Sequence, residues 1–227
     1  MEGQIKTILT GLGADLCGIA GIERFETAPS GFHPCDIYKD CKSVIVFAKR
    51  IPRGLASVNP RIIYNNMTDK TLFELDRLSY MGSIKVENLG GNAVPIPSDA
   101  PYDYWDSESL EGRGVLSMRH AAVLAGIGSM GKNTLVINRQ YGNMINIGAI
   151  LTDLELRSDP LVPEICIPNC RLCLDNCPPQ ALDGQTVNQK LCRQYTNTSN
   201  SRGFSVCNCN RCRMVCPRSS GTAPETG

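Results

Sequence analysis

The chain has almost no net charge. Its 23 basic residues face 22 acidic ones, leaving +1 over 227 residues. It therefore has no strong basic field to hold a nucleic-acid backbone, and nucleic acid is not an expected partner. It also lacks the run of ~20 apolar residues that a membrane span needs. The richest stretch, Thr134 to Thr152, is interrupted by Arg139 and several amides. The N-terminus, Met1-Glu-Gly-Gln-Ile-Lys, has no basic start followed by an apolar core, and no twin arginine. The expected compartment is the cytoplasm, where thiols stay reduced, so the 12 cysteines are not expected to form a disulfide framework. No internal repeat exists apart from two cysteine runs. An apolar content of 42% allows one medium domain with a real core and a small one beside it.

The first cysteine run is Cys166-Ile-Pro-Asn-Cys170-Arg-Leu-Cys173-Leu-Asp-Asn-Cys177-Pro178. It is answered by Cys209-Asn-Arg-Cys212-Arg-Met-Val-Cys216-Pro217. Each ends in C-x2-C-x3-C-P. The bacterial ferredoxin run is C-x2-C-x2-C-x3-C-P, and its fourth cysteine ligates the other cluster. Three thiolates on one tight loop grip three corners of a cube, and the fourth, followed by proline, leaves the loop. Crossed ligation puts Cys166, Cys170, Cys173 and Cys216 on one 4Fe–4S cluster. Cys177, Cys209 and Cys212 go on a second, with Cys192 or Cys207 as its fourth ligand, the eighth overall. Proline is suited to the first turn of a helix, so Pro178-Pro-Gln-Ala-Leu reads as a helix start. Paired C-x2-C units also build zinc ribbons. Zinc needs only four thiolates, and eight with a proline after each terminal one exceed that.

Upstream, residues 4–12 read as an amphipathic helix with Ile5, Ile8, Leu9 and Leu12 on one side, stopped by Gly13. Asp15–Ala20 and Ser43–Ala48 read as buried strands, with residues 29–34 as loop between them and a break at Ile51-Pro52. Asn66 or Thr68 is the expected cap of a helix running to about Met81, with Leu72, Leu75, Leu78 and Tyr80 among its apolar residues. Gly90-Gly91 is a turn, and residues 93–97 are extended. Ser98 to Glu111 is an irregular polar and aromatic segment. Val115, Met118, Ala122 and Ala125 repeat at helical spacing. Residues 134–137 and 145–151 read as strands paired across Tyr141-Gly142-Asn143. The irregular alternation implies α+β: a sandwich domain over residues 1–160 with a mixed or antiparallel sheet, then a ferredoxin-like double-cluster domain over 161–220 and a frayed tail over 221–227.

Gly126-Ile-Gly128-Ser-Met-Gly131-Lys132-Asn133 matches both G-x-G-x-x-G and G-x4-G-K. Both phosphate motifs require a strand before and a helix after. Here the order is reversed, and Asn133 stands where a P-loop needs Ser or Thr. The segment remains a tight turn, with Lys132 and Asn133 as polar handles. His120 reads as a surface or packed residue, Cys17 as core, and His33, Cys35 and Cys41 as ordinary side chains rather than a third site. Tyr102, Tyr104 and Trp105 either line a flat cofactor's pocket or cover a loop.

Ala125-Gly-Ile-Gly-Ser-Met-Gly-Lys-Asn-Thr-Leu, Gly148-Ala-Ile-Leu-Thr-Asp-Leu-Glu-Leu and the two cysteine runs together resemble the epoxyqueuosine reductases, which are distantly similar to reductive dehalogenases. Leu16-Cys-Gly-Ile-Ala and Ser43-Val-Ile-Val also suit that family, so the resemblance covers most of residues 9–217. It implies an α/β cobalamin-binding domain joined to a double 4Fe–4S domain, with electrons passing through the clusters to cobalamin. It also favours Cys192 as the eighth ligand, because family members carry one well upstream of the final C-x2-C. The chain departs from the family in two places. The family's Asp-x-x-Pro-x-x-Glu stretch, whose aspartate is taken as proton donor, falls here on Gly112, Val115 and Met118, with Glu111 adjacent. The helical-repeat domain of tRNA-reducing members does not follow the clusters, so a truncated form is expected.

The expected function is an iron–sulfur oxidoreductase drawing electrons from a donor such as a ferredoxin or flavodoxin. They pass to a small-molecule cofactor or substrate near Gly128, Gly131, Lys132 and Asn133. A non-catalytic electron carrier and a zinc-stapled binding module are the alternatives.

Overall fold

The computed structural model describes residues 1–58 and 61–222. In chain order, α1 (Glu2–Gly11) leads into β1 (Leu16–Gly21), a 3-10 turn (Ile22–Phe25), α2 (Pro34–Ile37) and β2 (Ser43–Arg50). A second 3-10 turn (Arg53–Ser57) precedes the long α3 (Ile62–Glu87) and β3 (Ala93–Ile96). Then come a ribbon of β4 (Tyr104–Asp106) and β5 (Glu111–Arg113), α4 (Met118–Leu124), β6 (Ser129–Met130), β7 (Val136–Ile137) and β8 (Ile145–Thr152). The cysteine-rich part holds α5 (Leu172–Asp175), α6 (Gln189–Thr196), a hairpin of β9 (Asn197–Ser199) and β10 (Ser205–Cys207), and α7 (Arg211–Met214). No helix among the described residues is long and apolar enough to cross a membrane.

The main sheet runs β1-β2-β8-β3, and every pair is antiparallel, so it is not mixed. Its central strands are covered on both faces, which is why β2 and β8 read as continuous apolar runs rather than alternating ones. Ile45 and Phe47 pack with Ile5, Leu9, Leu75 and Leu78 of α1 and α3. Val44, Val46 and Ala48 pack on the opposite side with Ala121, Ala122 and Ala125 around α4. Small residues let these layers close. A Cβ on Gly18 would lie 2.1 Å from the Ala125 carbonyl oxygen, and one on Gly82 within 2.8 Å of the side chains of Leu9 and Ile150.

Several expectations need correction. The helix expected from Asn66 or Thr68 to Met81 spans Ile62–Glu87. Its buried stripe extends through Thr71, Ser79, Gly82 and Ser83, whose polarity or small size hides it from an apolar count. Thr68 is not a cap, since its hydroxyl donates to the Tyr64 carbonyl inside the helix, and Tyr80 faces solvent. Residues 134–137 do not pair with 145–151: β7 pairs with β6, and β8 enters the main sheet between β2 and β3. A strand apolar on both faces gains more by full burial there than in a hairpin. Pro178 opens no helix. The Gln180 N–H closes a turn onto the Cys177 carbonyl, and the Ala181 N–H donates to Cys177 Sγ at 3.3 Å. The ribbon β4–β5 orders part of the segment expected to be irregular. Of the expected tail, residues 223–227 lie outside the described residues, whereas the Thr222 N–H donates to the Arg139 carbonyl.

Candidate metal centre

Cys166, Cys170, Cys173 and Cys216 line one cavity together with Ile137, Ile167, Leu172 and Pro217. Three of these thiols come from the first run and the fourth from the second. The extra residue between Cys166 and Cys170 is absorbed by Asn169, which takes a positive φ of 60°. Cys173 lies on α5, and Cys216 follows α7. Burial raises the Cys173 thiol, and the neighbouring thiols of Cys166, Cys216 and Cys170 raise it further.

Three further cysteines act electrostatically on Cys212. Burial pushes its thiol up to about 11; Arg213 opposes the rise, and Cys209, Cys192 and Cys177 add to it. These three sulfurs therefore lie within electrostatic reach of Cys212. Cys177 ends the first run, so the fold crosses the two runs. Cys192 sits on α6, with its sulfur 3.9 Å from the Thr196 hydroxyl. Cys207 is also near Cys209 and Cys192. Its thiol faces the Cys209 carbonyl at 3.8 Å, and its N–H donates to Asn65 Oδ1 at 2.8 Å.

Among the described residues, no three His, Cys, Asp or Glu side chains converge at the spacing of a single-ion site. Thiolates on the corners of a four-iron cube stand further apart than thiolates on one ion. The donor chemistry fits such a cluster: four soft sulfurs around an apolar cavity, in a place where free thiolates are disfavoured.

The polar handles of the glycine turn, Lys132 and Asn133, border the thiol cavity and bond to the cysteine loops. Lys132 Nζ donates to the Cys170 carbonyl at 3.1 Å, and Asn133 Nδ2 donates to the Cys212 carbonyl at 3.0 Å. Asn133 is 3% exposed, and its Oδ1 accepts from the Leu135 N–H at 3.2 Å. A Cβ on Gly128 would lie 2.3 Å from the Ile137 carbonyl oxygen, and one on Gly131 would lie 2.7 Å from Asn133 Oδ1. The close approach permitted by glycine is thus to the chain's own atoms, backbone at Gly128 and side chains at Gly131. Gly128, Gly131, Lys132 and Asn133 were expected at a cofactor's edge. Lys132 and Asn133 border the thiol cavity, and their bonds hold one loop of each thiol set.

Asn133→Ala is expected to cost about 1–3 kcal/mol for each backbone group left unpaired. Chemical denaturation of the anaerobic protein measures this. A loss below about 0.5 kcal/mol, the size of an ordinary surface change, would show that the clamp is not formed in solution.

The aromatic segment docks on the helix that carries Cys192. Tyr102 and Trp105 stack at 5.9 Å, and the Arg193 guanidinium lies over both rings, at 5.3 and 4.8 Å. Arg193 also donates to the Leu110 carbonyl at 2.8 Å. Gln189 makes a two-way amide pair with Gly112, accepting its N–H at 3.0 Å and donating to its carbonyl at 3.2 Å. A Cβ on Gly112 would lie 3.0 and 3.1 Å from the two terminal guanidinium nitrogens. The position matched to the family's aspartate is thus covered by Arg193, and Glu111 pairs outward with Arg113. Sequence reading missed Gln189 and Arg193; the available signal was their four-residue spacing, which puts them on one face of a helix.

The other singled-out residues are ordinary. His120 Nδ1 lies 2.7 Å from the Ser117 hydroxyl on the surface. His33 caps α2 by accepting the Cys35 N–H, and the thiols of Cys35 and Cys41 each face a backbone carbonyl. Burial pushes Cys17 up to about 12.

No protein-family model matches the chain. It is 32% identical over 128 residues to the epoxyqueuosine reductase of Staphylococcus aureus, an alignment covering 52% of this chain and 33% of that protein. The chain is a homologue of the epoxyqueuosine reductases. More distantly, it is 30% identical over 183 residues to the tetrachloroethene reductive dehalogenase of Desulfitobacterium hafniense, covering 79% of this chain and 29% of the other. The alignments thus span about a third of the length of these curated reductases. In fold, the epoxyqueuosine reductase homologue resembles the solved enzyme of Streptococcus thermophilus, with a TM-score of 0.66 at 20% identity over 98% of this chain and 68% of that one. It also resembles a catabolic reductive dehalogenase, with a TM-score of 0.70 at 17% identity over 97% and 32%. Another reductive dehalogenase of the same fold is described with a mechanism for B12-dependent dehalogenation.

Proposed function

We propose that this protein is a cytoplasmic iron–sulfur oxidoreductase carrying two 4Fe–4S clusters. The carrying observation is the crossing of the two cysteine runs into two thiol sets. Cys166, Cys170, Cys173 and Cys216 would hold one cluster, and Cys177, Cys192, Cys209 and Cys212 the other. When bound, the clusters supply one-electron transfer at a potential set by hydrogen bonding, charge and solvent exposure. The chain's own residues hold the geometry. Lys132 and Asn133 tie the two ligand loops to one rigid turn, and the Ala181 N–H donates to Cys177 Sγ, the kind of bond that tunes a cluster sulfur. A ferredoxin or flavodoxin is the donor this reading implies.

By the resemblance, the acceptor would be cobalamin. The residues expected to edge it do not fit it: the handles of Lys132 and Asn133 are engaged, the glycines press on Ile137 and Asn133, and Gly112 offers no acid. This misfit favours a second reading, a carrier that delivers electrons to a partner enzyme. Anaerobic purification with iron and sulfide analysis tests the shared core of both. About eight irons per chain and broad absorption towards the blue are expected; zinc with colourless protein would overturn it. Titration with cobalamin separates the two, since a shifted corrin spectrum supports the reductase and an unchanged one supports the carrier.

A further inference from the structure

A cleft of about 510 Å³ opens between the start of α3 and the cysteine segment, with Arg61 on one wall and Asn210 and Arg211 on the other. Its lining contains two arginines and no carboxylate. Arg61 Nε and Nη2 are buried with no hydrogen-bond partner, although the guanidinium is held 4.5 Å over the Tyr64 ring. Asn210 is 8% exposed, and its Nδ2 is also buried and unpartnered. Leaving such donors unmet is costly, most of all for a charged one. The 26-residue α3 begins at the same wall without a side-chain cap, so its free amides and positive dipole end add to the field.

We propose that this cleft binds the phosphate group of a small organic phosphate. A planar guanidinium and free helix amides match phosphate oxygens, and the orphaned Asn210 amide supplies a further donor. The cleft is far larger than one phosphate, so the rest of the ligand lies along the wall that contains Tyr195, Asn208 and Cys209. Cys209 is a ligand in the proposed second cluster, so a molecule seated here lies beside it. Binding itself rests on the cleft's donors and not on the electron-transfer reading.

Calorimetric titration of the anaerobic protein with pyrophosphate tests the proposal, with iron content measured on the same samples. Saturable 1:1 binding is expected. Arg61→Gln should weaken it at least about tenfold, the size of one lost charge-assisted contact. Ser57→Glu, which adds a carboxylate to the cleft's exposed rim outside the cysteine segment, should weaken it comparably. Arg202→Gln, on the exposed hairpin, should leave it unchanged. The proposal is overturned if the wild type does not bind, if both cleft variants bind as tightly as the wild type, or if citrate binds as tightly as pyrophosphate. Pyrophosphate binding by a sample without iron would count against the clusters and against metal-dependent folding of the cysteine segment, and leave the phosphate site standing.

Discussion

Replacing Cys192 with alanine is expected to lower the iron content from about eight to about four atoms per chain, whereas Cys207→Ala keeps all of it. The two cysteines compete for the same role and both lie near Cys209, but their surroundings differ. Cys192 projects from α6, and its sulfur is among those acting on Cys212. Cys207 turns its thiol towards the Cys209 carbonyl, and its backbone N–H is fixed by Asn65 on α3. A thiol must leave such a contact to bind iron. Cys166, Cys170, Cys173 and Cys216 line a separate cavity, so the cluster proposed there should survive either change. Iron and sulfide analysis with electron paramagnetic resonance of the reduced variants reads the result. Half the iron lost from Cys207→Ala, with none lost from Cys192→Ala, would reverse the assignment.

Removing the iron is expected to melt residues 161–220 and leave the sheet folded. Among the described residues of that segment, the large buried aliphatics are Ile165, Leu174 and Val206. Leu172, Leu191 and Phe204 are 45%, 41% and 61% exposed. A piece of about sixty residues with so small a core needs a metal or another staple to stay ordered. The main sheet is in the opposite condition: Val44, Ile45, Val46, Phe47, Ala149, Ile150 and Leu151 are fully buried between helical layers. Stripping iron also releases the thiolates to their own repulsion in a poorly solvated place. Hydrogen exchange after anaerobic chelation should show the amides of α6 and α7 losing protection by orders of magnitude while those of β2 and β8 keep theirs. Retained protection across α6 would mean that the segment has a core of its own.

Arg193 links these two results. It ties the Tyr102–Trp105 pair to the helix bearing Cys192, so loss of the second cluster should also loosen the ribbon β4–β5.

The elements legible from sequence rest on local constraints. Ligand spacing within a tight loop is fixed by a few covalent links, so the two runs suggest a cluster before any fold is known. The strands β2 and β8 and the helix α1 were legible because two-sided or one-sided burial writes its own period into the residues. Tertiary structure decided what distant segments do to one another. The stretches that form β7 and β8 are both apolar, and nothing local says which enters the main sheet. Lys132 and Asn133 are plainly donors, but their acceptors stand 38 and 79 residues further along the chain, on loops that only the packed molecule brings to the turn. The guanidinium over Gly112 and the orphaned donors of Arg61 and Asn210 belong to the same class. A side chain's type fixes what it can bond to; which partner it meets, or whether it meets one at all, is set by the convergence of remote backbone.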